Sequence, residues 1–152
     1  MAPWPLRVVD TTVNPDASVG RKRWPKPIII TGLFFAEYAR VSEDMLDILG
    51  GVWDTCTVPR DTRMLECRLV ALLQTGPDDI GKDFPATLEV LDATGEHIVN
   101  QRGLQIPGAG FTGENRFWFL PMQMVFRDEG RHNFILSAGG ATASVGLHIA
   151  FG

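Results

Sequence analysis

The stretch RHNFILSAGGATASVGLHIAF, residues 131–151, shows the clearest strand pattern in the chain. In its second half, apolar residues alternate with small or polar ones. The apolar positions are Ala143, Val145, Leu147, Ile149 and Phe151. Because alternate side chains of a strand point to opposite faces, this segment is predicted to be a half-buried strand. The AGGA sequence before it predicts a tight turn from the preceding strand, RHNFILS.

Similar patterns recur throughout residues 28–152. Roughly eight short apolar or alternating segments are separated by turn signals, such as PRDT, DATG and DEG, at intervals of about 8–12 residues. In DATG, Gly95 suits a left-handed turn position. We predict an all-β fold, a two-sheet antiparallel β-sandwich of the Ig-like or jelly-roll-like kind. Between Phe35 and Leu49 a helix is the alternative.

The sequence LGGVWDTC, residues 49–56, places paired glycines beside a tryptophan. A phosphate-binding loop would need the spacing G-x-x-x-x-G-K-[ST], which is absent here. We therefore predict a structural role for Gly50, Gly51 and Trp53, in which the glycines bend a strand and let the indole pack closely on the sandwich.

The stretch LFFAEYARVSEDMLDILGGVWD, residues 33–54, resembles an actinobacterial family of small β-sandwich proteins of unknown function. Glu37 would take the family's acidic position, and Gly50, Gly51 and Trp53 its glycine-tryptophan element. LEVLDATGEHI and the 24 residues 128–151, which begin with DEG, resemble two hairpins of the same family. The departures are Val52, which stands where a third glycine is common, and the segment 1–27. The resemblance implies a fold and carries no catalytic residues.

The composition fits one soluble domain, with 152 residues, 45% hydrophobic and 21% charged. A net charge of −4 argues against a general nucleic-acid binder. The first residues lack the pattern of a secretory signal, and no segment approaches the roughly 20 apolar residues of a membrane-spanning helix. We expect a cytoplasmic protein, or one within an assembled particle, with neither nucleic acid nor membrane as partner.

Residues 1–27 differ from the rest because they contain five of the ten prolines and a cluster of basic residues. Proline lacks the N–H that a central strand needs, so we predict an extended arm ahead of a sandwich domain at 28–152. Tryptophan is costly to expose, so the arm is expected to lie on its own domain or on a neighbour. Its predicted partner-binding residues are Trp4, Arg21, Lys22, Arg23, Trp24 and Lys26.

A second predicted partner-binding region is the aromatic strand RFWFLPMQMVF, residues 116–126, with Phe117, Trp118 and Phe119. It is too apolar on both faces for a sheet that is open to water. One face is expected in the core, and the other on the arm, a loop or another subunit. Pro121 predicts an edge strand or a bulge.

No catalytic or metal-binding pattern is recognisable. Cys56 and Cys67 are expected as buried thiols, and a disulfide is the alternative if Val58 pairs with Arg63 across the PRDT turn. The three histidines are expected at the surface. Acidic residues lack the spacing of a calcium loop, and serines lack the G-x-S-x-G context of a hydrolase. We predict no cofactor, no metal and no enzymatic activity.

Three functions remain for such a chain. The first is a non-enzymatic protein-interaction or assembly module, which acts through the arm and the aromatic strand as a homo-oligomer or part of a larger assembly. The second is a structural component of a phage or nanocompartment particle, in the shell or decorating it. The third is a binder of small ligands or carbohydrates that stacks them on Trp118 or Trp53.

Overall fold

The computed structural model describes residues 28–152. This range forms nine β-strands and one short 3-10 helix, Pro77–Asp79. The strands are β1 (Ile29–Ser42), β2 (Met45–Trp53), β3 (Thr55–Val58), β4 (Met64–Gln74), β5 (Phe84–Leu91), β6 (His97–Ile106), β7 (Asn115–Val125), β8 (Gly130–Ala138) and β9 (Ala141–Phe151).

The strands form two packed sheets. One has four strands in the order β2-β1-β4-β7, and the other has five in the order β3-β9-β8-β5-β6. All neighbouring strands are antiparallel except β3 and β9, which run parallel. The prediction of an all-β sandwich is confirmed, with nine strands instead of about eight.

The core lies between the two sheets. Phe35 of β1 meets Phe134 of β8 edge to face, with ring centroids 4.9 Å apart, and both side chains are fully buried. Leu69 of β4 and Leu147 of β9 extend the same cluster. Burial of each side chain of this size contributes about 1.5–3 kcal/mol, so the apolar layer between the sheets stabilises the fold strongly.

The closing hairpin follows its sequence pattern. Ala138 pairs with Ala141 across Gly139 and Gly140, whose φ angles of 55° and 88° are those of a tight two-residue turn. On β9, Leu147 and Ile149 are buried, while Thr142, Ser144 and His148 are exposed. The predicted alternation and turn are confirmed. Pro121 lies on β7, an edge strand, as predicted.

Two alternatives left open by the sequence are excluded. The region Phe35–Leu49 is strand, not helix, and the chain reverses at Glu43 and Asp44, whose φ angles of 52° and 62° form a hairpin turn between β1 and β2. Val58 does not pair with Arg63. It pairs with Phe151 in the five-stranded sheet, since the turn after Pro59 carries the chain from one sheet to the other.

Arg116, at the start of β7, fastens two loops to the end of the sandwich. It is only 3% exposed. Its guanidinium donates to the carbonyls of Lys82 (2.7 Å), Pro107 (3.2 Å) and Asp79 (3.3 Å). Burial lowers the pKa of Arg116, and the nearby carboxylates of Asp79 and Asp83 oppose that shift. The loops 75–83 and 107–114 thus depend on one buried cation.

Asp92 organises the turn between β5 and β6. Its carboxylate accepts hydrogen bonds from the backbone N–H groups of Thr94 (2.9 Å) and Glu96 (3.0 Å), and from the Thr94 hydroxyl (2.7 Å). Arg127 adds an ion pair at 3.2 Å. These bonds, that of the Thr94 hydroxyl first, lower the pKa of Asp92 to about 2. Gly95 has a φ of 91°, in agreement with its predicted place in this turn.

We predict that Arg116→Met destabilises the fold by about 3 kcal/mol, because three buried carbonyls lose a charged donor. For a domain of this size the unfolding midpoint would fall by about 6–12 °C. Thermal unfolding followed by circular dichroism measures it. Arg102→Met, on the exposed surface of β6, is the matched control. Equal midpoints for the two variants would contradict the role of Arg116.

We also predict that Asp92→Asn makes stability less dependent on acid. The pKa of Asp92 is lower in the folded state than its ordinary value of 3.8, so the ionised carboxylate stabilises the fold above pH 4. That stabilisation is lost as the pH falls through about 2. Unfolding midpoints between pH 5 and pH 2 should therefore fall further in the parent protein than in Asp92→Asn, while Asp78→Asn, on an exposed loop, follows the parent.

Candidate interaction surface

The tip of the β1–β2 hairpin, residues 37–49, leaves the plane of its sheet. β1 pairs with β4 only as far as Ala36, and beyond that point it pairs with β2 alone. Ala39 and Ile48 of the tip pack against Val70 of β4 and Phe119 of β7. Since these last two side chains lie on the face of the sheet turned away from the core, the hairpin tip forms a third layer over that outer face.

A bulge and a glycine allow this bend. Phe35 pairs with Trp53 and Ala36 with Gly51, so Val52 is an extra residue in β2. Gly50 has a φ of 65°, and a Cβ there would lie only 2.8 Å from the side chain of Glu37. Only glycine fits both conditions without strain.

Trp53 fixes the base of the hairpin. Its ring stacks on Phe35 with centroids 5.3 Å apart, and its indole N–H donates to the Gly50 carbonyl at 2.8 Å. Trp53 thus makes an apolar contact with the core and a hydrogen bond that holds the glycine bend. Trp118, the other tryptophan expected as a stacking platform, also packs against core residues.

The outward side of the hairpin is unusually apolar. Five of the eight well-exposed large hydrophobic side chains in residues 28–152 lie between positions 38 and 52. They are Tyr38, Val41, Met45, Leu49 and Val52, and the other three are Ile29, Ile80 and Val125. In the register of the hairpin, Tyr38 lies opposite Leu49, and the ion pair between Arg40 and Asp47 (3.2 Å) separates them from Met45. Val41 lies on the other face of the hairpin, since it pairs with Leu46, which packs in the inward cluster with Ala39. We call the remaining four residues, Tyr38, Met45, Leu49 and Val52, the hairpin patch.

A groove runs beside the hairpin tip on the same outer face. One cavity, of about 290 Å³, lies between the tip, β7 and the loop that Arg116 fastens. A second, of about 280 Å³, adjoins it through Phe117 and reaches Thr31 near the start of β1. The principal lining residues of the first are Val41, Asp44, Phe111, Phe117, Trp118 and Phe119. We call the two cavities together the outer-face groove.

The aromatic strand supplies the floor of this groove. Phe117 meets Phe111 edge to face, with ring centroids 5.0 Å apart, and Phe119 packs under the hairpin tip. Trp118 packs against the buried core cluster that contains Ala71 and Leu73. All three aromatic side chains of the predicted partner-binding strand are partly buried. The chain's own hairpin covers part of the outer face, which was expected to pack on the arm, a loop or another subunit. The hairpin patch was not predicted from the sequence, although the stretch ARVSEDMLDIL, residues 39–49, has apolar residues on both faces of the hairpin.

The candidate metal-binding and thiol residues lie apart from this surface. His132 is fully buried, with Nδ1 donating to the Gly130 carbonyl at 2.9 Å, so its expected surface position is wrong. His97 pairs with Glu89 at 2.8 Å. Both cysteines are free, and burial raises the pKa of Cys67 to about 12, with a smaller contribution from Cys56. Within residues 28–152, no group of three metal-ligating side chains comes together.

The predicted arm residues, Trp4, Arg21, Lys22, Arg23, Trp24 and Lys26, lie outside the described residues. The first described residue, Ile28, is buried, and its N–H donates to the Gly139 carbonyl at 3.2 Å. The chain therefore enters the sandwich at a fixed point beside the turn between β8 and β9. None of the helices in the described part of the chain is long and apolar enough to cross a membrane.

Comparisons with known proteins give likeness of shape only. No protein-family model and no curated protein matches the sequence. Among solved structures, the chain is similar to the alkylpurine DNA glycosylase AlkC of Pseudomonas fluorescens, bound to DNA containing an abasic site analog. The identity is 10% and the TM-score 0.47, over 81% of this chain and 30% of the other.

A second similar structure is the CARDB domain of the PF1109 protein from Pyrococcus furiosus, in complex with di-metal ions. The identity is 9% and the TM-score 0.39, over 81% of this chain and 96% of the other. The chain spans less than a third of the length of the glycosylase. Neither likeness extends beyond the arrangement of strands.

Proposed function

We propose that this protein is a non-enzymatic assembly module that associates with a second copy of itself through the hairpin patch. The supporting observation is that most of the exposed large hydrophobic side chains of residues 28–152 are concentrated on one short hairpin. Scattered exposed hydrophobic residues are normal on a soluble protein, whereas a contiguous group is typical of an interaction site. Met45, Leu49 and Val52 are each more than 60% exposed.

The edge of the four-stranded sheet supports a second copy as the partner. β2 is an edge strand, and within residues 28–152 no strand pairs with its outer side. Free N–H and C=O groups on an edge can pair with another chain, so proteins usually shorten such edges, charge them or interrupt them with proline. β2 has nine residues, and its one charged residue, Asp47, is paired with Arg40.

The other three edges carry such protection. β3 has only four residues, β7 contains Pro121, and β6 contains Arg102 in a run of exposed polar residues. β2 therefore differs from each of them: it is longer than β3, it lacks the proline of β7, and it exposes large apolar side chains where β6 exposes polar ones. An antiparallel pairing of β2 with its copy would join the two sheets and bury Leu49 and Met45 of both chains, with the closed two-fold symmetry that is commonest for dimers.

We predict that Leu49→Lys raises the dissociation constant of self-association at least ~10-fold. The substitution puts a charge where the proposed dimer would bury an apolar side chain, whose burial contributes about 1.5–3 kcal/mol. Light scattering after size-exclusion chromatography, over a range of concentrations, measures the mass. Val125→Lys is the matched control, since Val125 is 66% exposed and Leu49 is 65% exposed on strands of the same sheet.

A monomer at every concentration in the parent protein, or equal weakening by Leu49→Lys and Val125→Lys, would contradict this proposal. A discrete dimer would support it and would count against the narrower role of a phage or nanocompartment shell protein. Large regular particles in negative-stain electron microscopy that disappear in Leu49→Lys would support that narrower role within the same proposal.

A further inference from the structure

The outer-face groove begins where the described chain begins. Thr31, three residues after Ile28, lines the near cavity together with Leu72 and Phe117. The far cavity continues past Phe117 to Phe119 and Val41. Residues 1–27 therefore join the sandwich at the open end of an apolar groove that the structure leaves unfilled by any described residue.

The lining of the groove suits a proline-containing segment. Extended segments with proline bind aromatic-lined grooves because they have few unpaired N–H groups and lose little conformational entropy. Three aromatic side chains face the far cavity, those of Phe111, Phe117 and Phe119, while Trp118 between the last two turns its side chain to the core. The sequence just before Ile28 is Trp24-Pro25-Lys26-Pro27, which combines a large aromatic side chain with two prolines.

Charge favours the same pairing. Residues 1–27 contain five basic and two acidic residues, a net charge of +3, while residues 28–152 contain nine basic and sixteen acidic residues, a net charge of −7. Asp44 lines the far cavity, and Glu43 is beside it in the hairpin turn. The basic residues Arg21, Lys22 and Arg23 directly precede Trp24. An arm in the groove would bring opposite charges together.

The distances permit docking within one chain. Phe117 is level with Gly32, because both residues pair with Leu72 of β4. From Ile28 it therefore lies about 13 Å along the strands and two strands, or about 10 Å, across the sheet, which together make about 16 Å. Trp24 is four residues ahead of Ile28. Four extended residues span up to about 14 Å, and the long indole side chain supplies the remainder. Since a tethered segment meets its own site at a high effective concentration, docking within the chain is favoured over exchange.

We propose that residues 1–27 fold back along their own sandwich and occupy the outer-face groove, with the Trp24 side chain seated against Phe117. The groove is then a binding site for a tryptophan-proline segment, and its occupant is the arm of the same chain. This proposal concerns a different surface from the hairpin patch, and it holds whether or not the protein self-associates.

The test is ¹⁹F NMR of the full chain labelled with 5-fluorotryptophan. The four tryptophan signals are assigned with Trp4→Phe and Trp24→Phe variants, and a synthetic peptide of residues 1–27 gives the position of the free Trp24 signal. The Trp24 signal of the full chain should differ from that position. In Val41→Lys it should return to it, because Val41 lines the groove and the new lysine repels the basic arm.

Val125→Lys, on the same sheet but outside the groove, should leave the Trp24 signal unchanged. An unshifted Trp53 signal in Val41→Lys verifies that the sandwich is folded, and Ala109→Lys, at another position of the groove, repeats the test. Measurement in the Leu49→Lys background separates docking from self-association. If the Trp24 signal of the full chain lies at the position of the free peptide, the proposal is overturned. It is also overturned if the difference between the two signals vanishes on dilution, which would indicate exchange of the arm between copies.

Discussion

The stacking of Trp53 on Phe35 is the contact on which the rest of the candidate surface depends. It joins the base of the β1–β2 hairpin to the centre of the core, because Phe35 also meets Phe134 of the opposite sheet. The indole N–H holds the Gly50 carbonyl at the point where the strand bends. The contact thus ties the bulge and the glycine bend, which turn the hairpin over the outer face, to the centre of the core.

The bend also explains the distribution of apolar side chains. A hairpin that lies on a sheet has one inward face and one outward face, so the inward Ala39 and Ile48 satisfy the outer face of the sheet. Among the outward side chains, Tyr38 has Arg68 over its ring at 5.6 Å, while Met45 and Leu49 remain more than 60% exposed. The proposed self-association would bury these last two.

The sequence predicted what depends on local geometry. The closing hairpin and the turns at Gly139 and Gly95 follow from alternation and from glycine at left-handed positions. The pairing of β3 could not be predicted in this way, because its parallel partner β9 lies some ninety residues further along the chain and nothing in the sequence around Val58 indicates that partner. His132 was misplaced because its neighbours resemble a turn, while alternation along β8 places it in the core.

The candidate surface was predicted only in part. The excess of aromatic residues in β7 correctly indicated that its outer face needs cover, yet the pattern around Ala39 and Ile48 fits a helix as well as a hairpin. Which segment covers the outer face of β7 depends on contacts between residues far apart in the sequence. For the same reason, sequence alone could not separate the floor of the groove, at Phe117 and Phe119, from the exposed patch at Met45 and Leu49.

The two proposed contacts support each other electrostatically. Two sandwiches that each carry −7 from residues 28–152 would repel one another when their β2 edges approach. An arm of +3 that docks beside Asp44 would place its positive charge close to that edge, where it offsets part of the −7. Docking within the chain would thus lower the electrostatic cost of pairing between chains. A single basic, proline-containing segment can in this way favour assembly without touching the second copy.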